Sequence, residues 1–242
     1  MSTSALNQEL QRVFELEVQN DLVFTQQKTA RTYQSVLSLF QKHDVGNLAL
    51  LVSDLESETD KTLLATLARL RLQILKKQLN LQTLQTAKEL ILKERSWAGE
   101  IHFIIGLAYD VVGNHLLSKH HFVIARKFLQ EINCLKKANR AHLFALQCEG
   151  KMNPEKNLMH EYHSLYRQAM ARDDEQTAGL ALVNISLEYR KMGALHAALT
   201  FINSAVDYLN GLELQKAADL RTQIISAMKL EYTPRSAALT LV

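Results

Sequence analysis

Histidine is the residue type in this sequence with the clearest potential for metal chemistry. His120 and His121 follow His115 by five and six positions. These spacings differ from the three- or four-residue step that places two ligands on one helix face. His160 and His163 are three positions apart, but the segment HEYH is not the HExxH motif of zinc metalloproteases. We therefore expect no metal site and interpret these histidines as surface or turn residues.

Sequence motifs for nucleophilic or phosphate chemistry do not occur. Gly150-Lys151 has neither the preceding glycine loop nor the following Ser or Thr of a phosphate-binding loop, and there is no GxSxG or GxGxxG. Cys134 and Cys148 form no CxxC pair, so we expect reduced, packed thiols in a cytosolic protein. The prediction is a protein that is not an enzyme and uses no cofactor, although distant residues can still assemble a site in three dimensions.

The charges of the chain are balanced and interleaved. There are 28 basic and 25 acidic residues, and the net charge of +3 is too small to indicate a nucleic-acid-binding surface. The basic clusters are interpreted as solvated helix faces: Arg69, Arg71, Lys76, Lys77, Lys136, Lys137 and Arg140. No run reaches the ~20 apolar residues of a membrane span, and the N-terminus lacks a secretory signal. A cytoplasmic location without membrane or nucleic-acid partners is expected.

Composition and periodicity predict helices along the whole chain. Only two prolines and eight glycines occur in 242 residues. Between residues 182 and 209, apolar side chains recur at steps of three and four, as in Leu182, Ile185 and Tyr189. The expected class is all-α, with about 12 helices.

Glycine, asparagine, aspartate and proline indicate where these helices end and begin. Gly113, Gly150, Gly193 and Gly211 each follow a periodic run and are predicted to close a helix. Asn153-Pro154-Glu155 has the pattern of a helix start, with an N-cap, a first-turn proline and an acidic residue. Further starts are predicted at Asp60, Ser96, Asn114 and Asp174, breaks near Asn20 and at residues 44–46, and a stop at Pro234.

A repeat is centred on Tyr109 and Tyr189. Small residues and glycines occupy equal offsets from the two tyrosines, in the pairs Gly106 and Ser186, Gly113 and Gly193, Ser118 and Ala198, and Ala125 and Ala205. Such repetition is typical of stacked helical hairpins. Small residues let two antiparallel helices approach and glycine makes the turn, so the tyrosines are expected to fill the wedge between the helices.

These residues resemble the pattern of the tetratricopeptide repeat family. The unit at 99–132 matches through Gly106, Tyr109, Gly113, Ser118, Phe122 and Ala125, and the unit at 179–212 through Ser186, Tyr189, Gly193, Ala198 and Ala205, with Ile202 where an aromatic is usual. A weaker unit near Lys61 has Arg71 at the tyrosine position. Residues 137–172 would be a degenerate unit between the clear ones, so the period is about forty, longer than the usual ~34.

The resemblance implies a right-handed α-solenoid of antiparallel helical hairpins. We expect residues 1–58 to form an N-terminal helical segment that caps the stack, residues 59–233 to form the repeats, and residues 234–242 to form a tail.

The resemblance also implies a concave groove, lined by the first helix of each hairpin, that binds another protein. The groove-facing positions would be Phe103, Leu107, Asp110, Val111, Val183, Asn184, Leu187, Arg190 and Lys191. A moderately apolar groove edged by basic residues suits an amphipathic or extended partner segment with acidic residues. The competing interpretation is that these residues contact the chain's own helices or tail.

The leading functional hypothesis is a non-catalytic protein-protein interaction module, acting as an adaptor, scaffold or chaperone-like protein. One alternative is a sensory or regulatory domain of a transcription or signalling system, because tetratricopeptide-like stacks often serve that purpose. The other is an all-helical enzyme.

Overall fold

The computed structural model describes residues 28–57 and 62–232, and these residues form helices and turns without strands. The predicted all-α class is confirmed for this part of the chain. The α-helices are α1 Lys28–Gln41, α2 Val45–Ser57, α3 Thr62–Leu75, α4 Leu81–Lys93, α5 Ala98–Val111, α6 His115–Glu131, α7 Leu135–Met152, α8 Met159–Met170, α9 Glu175–Lys191, α10 Leu195–Val206 and α11 Gly211–Tyr232. The features predicted at Asn20, Asp60 and Pro234, and the tail 234–242, lie outside the described residues.

The chain divides into two compact units at Glu155 and Lys156. The first unit contains α1 to α7, and the second contains α8 to α11. The boundary falls within residues 137–172, which the sequence suggested as one degenerate repeat. Helix α7 packs against α6 in the first unit, and α8 packs against α9 in the second.

The first two described helices share a core with the helices that follow. Helix α1 packs against α2 and α3, and α2 packs against α3. Tyr33, Val36 and Leu48 are completely buried and belong to one hydrophobic cluster with Leu67 and Ile101. Residues 28–57 are therefore integrated into the first unit.

The two clear repeats form hairpins with the same turn, α5 with α6 and α9 with α10. Gly113 and Gly193 have φ of 79° and 75°, which glycine adopts without steric cost. At the first turn, the Gly113 N–H donates to Asp110 O at 3.0 Å and the Asn114 N–H donates to Tyr109 O at 2.9 Å. The second turn has equivalent bonds. Both are Schellman motifs, which satisfy the last carbonyls of a helix.

Close approach at the other end of each hairpin also depends on glycine. A Cβ atom added to Gly99 would lie 2.9 Å from Leu129 Cγ, and one added to Gly179 would lie 2.9 Å from Leu209 Cγ. These distances are shorter than real carbon contacts, so a larger residue would force outward Leu129 on α6 or Leu209, which follows α10. The equal positions of these contacts confirm that the two repeats pack alike.

The tyrosines of the repeat stack on the second helix of their own hairpin. The Tyr109 ring lies 5.6 Å from that of His121, and the Tyr189 ring lies 5.2 Å from that of Phe201. Both tyrosines are partly buried. Their predicted position in the wedge between the helices is confirmed.

Several predicted helix boundaries were wrong. Gly150 lies inside α7, and Asn153 caps the end of that helix, so the next helix begins at Met159 and not at Asn153-Pro154. Gly211 begins α11, while α6 and α8 are followed by turns in which Asn133 and Asp173 have positive φ. After glycine, Asn and Asp are the residues that most readily adopt a positive φ. At Gly150, tertiary packing overrides the low helix propensity of glycine. The predicted N-caps Asn114 and Asp174 are confirmed, whereas Ser96 lies in a 3₁₀ turn before α5.

Candidate functional site

The groove-facing positions predicted on α5 are largely covered by other helices of the first unit. Phe103 is only 3% exposed. Its ring lies 5.5 Å from that of Phe122 on α6 and 5.7 Å from that of Phe144 on α7, and the Lys137 ammonium lies 4.3 Å from its centroid. Phe103 is therefore a core residue and has no surface to offer a partner. The competing interpretation, contact with the chain's own helices, is correct here.

Asp110, two turns further along the same face, is also engaged by neighbouring helices. Lys151 Nζ lies 2.8 Å from both Asp110 carboxylate oxygens, and His115 Nδ1 lies 3.0 Å from Oδ1. Leu107 packs partly against the core, whereas Val111 at the end of α5 is 39% exposed. Of the predicted positions on α5, Val111 has the most exposed apolar surface.

The predicted positions on α9 are more open. Val183 and Leu187 are partly buried, and Arg190 and Lys191 are exposed. Asn184 is 9% exposed, and its amide donates to Leu180 O of the same helix at 2.7 Å, so it is not free to hold a ligand backbone.

The two basic residues at the end of α9 each contact a neighbouring polar side chain. Arg190 donates to Gln223 Oε1 on α11 at 3.1 Å, and Lys191 pairs with Glu188 one turn earlier at 2.7 Å. We name Val183, Leu187, Arg190 and Lys191 the α9 stripe. It combines apolar surface with exposed positive charge.

A second group of polar side chains lies where α5, α6 and α7 meet. One ligand atom from each of Asp110, His115 and Cys148 lies within 4.8 Å of the other two. We name these residues the Asp110 cluster. The Asp110 and His115 side chains are 23% and 28% exposed, whereas Cys148 is 1% exposed. The cluster thus opens to solvent on its Asp110 and His115 side.

The Cys148 thiol is held in the protonated form. Burial raises its pKa, and the nearby Asp110 carboxylate raises it further, while the hydrogen bond with Ser118 acts in the opposite direction. The Ser118 hydroxyl lies 3.2 Å from Cys148 Sγ and donates to Gly106 O at 2.8 Å. A buried thiol of raised pKa is a poor nucleophile, so this Cys, His and Asp combination is not arranged for thiol catalysis.

Two residues expected on a solvated basic face are in fact buried. Arg71 and Lys137 are 1% and 0% exposed, and both face the buried carboxylate of Glu100 on α5. The interpretation of these two residues as solvated was wrong, because sequence clusters do not show which member of a basic run points inward. Arg69, two positions from Arg71, is exposed and pairs with Glu56.

A buried histidine pair connects α5 and α6. His102 Nδ1 and His121 Nδ1 lie 2.9 Å apart, and the two residues are 9% and 7% exposed. Burial lowers the pKa of each to about 4, with neighbouring histidines contributing further. The expectation that His121 is a surface or turn residue was wrong. His120, one position earlier, is exposed.

Comparisons of this chain with protein-family models, with curated proteins and with solved structures find no match. The resemblance to tetratricopeptide repeats stays a prediction based on the residues quoted above. Within the described helices, none is both long and apolar enough to cross a membrane.

Proposed function

We propose that this chain is a non-catalytic protein-protein interaction module whose second unit binds a partner segment along the α9 stripe. The tetratricopeptide-like hairpins suggest this class of function, since such proteins generally bind partners along the first helix of each hairpin. The partner segment would be amphipathic or extended and would carry acidic residues.

The incomplete burial of Val183 and Leu187 is the observation that carries this proposal. On the opposite face of α9, Ala178, Ala181 and Ile185 are completely buried, so the interior of the hairpin is filled without the stripe. Val183 and Leu187 are four positions apart and therefore lie on one face, where they remain partly accessible. Apolar side chains of this kind supply binding energy when a partner covers them.

Charge at the end of the stripe gives the partner's expected chemistry. Arg190 and Lys191 follow Leu187 by three and four positions and are exposed. Glu188 compensates Lys191 in part, through a contact of 2.7 Å. The guanidinium of Arg190 contacts a neutral amide, that of Gln223. A carboxylate on the partner would therefore be attracted to Arg190 first.

Selection of binding peptides from a display library of short segments tests this function. We expect the wild-type protein to enrich peptides with apolar residues four apart and acidic residues beside them. Their binding should be lost with Leu187→Asp and weakened severalfold, and most strongly at low salt, with Arg190→Glu.

A matched substitution outside the stripe serves as the control. Lys216 on α11 is exposed, so Lys216→Glu makes the same change of charge away from the stripe. Circular dichroism and thermal melting of each variant establish that it folds. Peptides that bind equally to Arg190→Glu and Lys216→Glu proteins, or that are insensitive to a folded Leu187→Asp variant, would refute binding along α9.

A further inference from the structure

We propose that Asp110, His115 and Cys148 form a three-ligand site for Zn²⁺ at the junction of α5, α6 and α7. The ligands would be a carboxylate oxygen, the His115 Nδ1 atom and the Cys148 sulfur, whose thiol proton would be released to solvent as the metal binds. The fourth position of the tetrahedron would face solvent on the Asp110 and His115 side. This site is independent of the α9 stripe, because its residues belong to the first unit.

The spacing of the three ligand atoms suits a tetrahedral ion. His115 Nδ1 lies 3.0 Å and Cys148 Sγ lies 3.7 Å from Asp110 Oδ1, and the three ligand atoms all lie within 4.8 Å of one another. Zinc bonds of typical length place nitrogen, oxygen and sulfur ligands about 3.3–3.6 Å apart. Small side-chain rotations, without backbone movement, would therefore bring the three atoms to bonding distance.

The chemistry of the three ligands favours zinc over magnesium or calcium. Thiolate, imidazole and carboxylate are each zinc ligands, whereas the hard cations take oxygen ligands. Three protein ligands with one open position is the arrangement of zinc sites that bind water or an incoming group.

Lys151 shows that this carboxylate already acts as an acceptor for a cation. Its ammonium lies 2.8 Å from both Asp110 oxygens, while 45% of its side chain is exposed. A flexible lysine at the surface can leave, because its amine is readily solvated. We expect Zn²⁺ to compete with the Lys151 ammonium for Asp110.

Cobalt substitution with matched cysteine variants gives the first test. The protein is freed of metal with a chelator, carries no polyhistidine tag and is titrated with Co²⁺. The wild-type protein should develop the near-ultraviolet charge-transfer absorption of a cobalt–thiolate bond at one equivalent. Cys148→Ser should abolish this absorption. Cys134→Ser should retain it, because Cys134 is the other buried cysteine and does not belong to the cluster.

Competition with a chromophoric chelator gives the Zn²⁺ affinity of the same proteins. His115→Gln should weaken binding by more than about 100-fold, which exceeds the 10–100-fold effect typical of residues that only support a ligand. His160→Gln in the second unit should bind as the wild type does, because His160 is exposed and lies outside the cluster. Lys151→Gln should bind Zn²⁺ severalfold more tightly, since the competing ammonium is removed.

Three results would overturn the site. The first is the absence of cobalt–thiolate absorption in the wild-type protein, and the second is its persistence in Cys148→Ser. The third is zinc affinity that is unchanged in His115→Gln. If Cys148→Ser unfolds, the other two variants decide the question. The site requires weaker zinc binding in His115→Gln and tighter zinc binding in Lys151→Gln, and any other pair of results would overturn it.

Discussion

Arg71 and Glu100 form a salt bridge between α3 and α5 in which Nη2 and Oε1 are 2.5 Å apart and the side chains are 1% and 0% exposed. The Tyr33 hydroxyl on α1 donates to the same oxygen, and Lys137 Nζ on α7 lies 3.6 Å from the other. One buried carboxylate thus connects four helices of the first unit. Arg71 has this role at the position where the repeat pattern has a tyrosine.

Removal of the Arg71 charge should strongly destabilise the first unit. In Arg71→Met the Glu100 carboxylate stays buried with only part of its compensation, and we expect the free energy of unfolding to fall by about 3 kcal/mol. Arg69→Met is the matched control, because the Arg69 and Glu56 side chains are 47% and 33% exposed. Its loss should be about 0–1 kcal/mol. Urea denaturation measures both, and equal losses would contradict a structural role for the buried pair.

Acidification should destabilise the protein through the pair His102 and His121. Their pKa values, lowered from 6.5 to about 4 in the folded state, mean that the unfolded chain binds more protons between these values. The contribution of the pair to stability is therefore fully present above pH 6.5 and is lost as the pH decreases towards 4, by about 2 kcal/mol for each histidine between pH 7 and pH 5.

Replacement of both histidines tests their share of this acid sensitivity. Electrostatic interactions with His120 and Lys88 further lower the pKa of His121. His142 on α7, also with a pKa lowered to about 4 by burial, provides a further part of the acid sensitivity. The double variant His102→Phe, His121→Leu should lose the part due to this pair and retain the parts due to His142 and to His163, whose pKa is also lowered by burial. Urea titrations at several pH values would refute this explanation if the double variant and His160→Gln, an exposed control, show the same dependence.

Substitution of the glycines at the hairpin ends should destabilise each repeat. Gly99→Ala places a Cβ 3.3 Å from the Leu129 backbone nitrogen, and Gly179→Ala places one 3.0 Å from Tyr208 Cβ, so neither contact is with a flexible side-chain end. We expect a loss of about 1–3 kcal/mol in each case. In Gly46→Ala, on α2, the nearest atom to the new Cβ would be Asp44 Oδ1 at 3.9 Å. This substitution should be neutral or slightly stabilising. Thermal melting that ranks Gly46→Ala with the other two would contradict the packing described.

Loss of one buried hydroxyl in each hairpin should have similar effects, although the donors lie on opposite helices. Ser118 on α6 donates to Gly106 O on α5, whereas Ser186 on α9 donates to Ala198 O on α10, both at 2.8 Å. Ser118→Ala and Ser186→Ala should each cost about 0.5–1.5 kcal/mol, because a buried hydrogen bond between the two helices is lost. Ser204→Ala is the control, since Ser204 is exposed and bonds within its own helix. A control loss as large as that of Ser186→Ala would contradict this reason.

Local features of this chain were largely predictable from the order of its residues. The helix class follows from composition, and the N-caps Asn114 and Asp174 follow from side chains that bond the next turn. The turns at Gly113 and Gly193 follow from the φ angles that glycine permits. These properties depend on interactions between residues at most a few positions apart, so they are written directly in the sequence.

Tertiary structure alone decided which charged and polar residues are buried and which of them meet. Arg69 and Arg71 are alike in sequence, yet one lies at the surface and the other in the core, because helix rotation depends on packing against α1 and α5. Asp110, His115 and Cys148 come together because three helices converge, although 38 positions separate the first from the last. The sequence by itself determined the helices and their hairpin turns, whereas contacts between distant helices determined the buried ion pairs and the candidate zinc site.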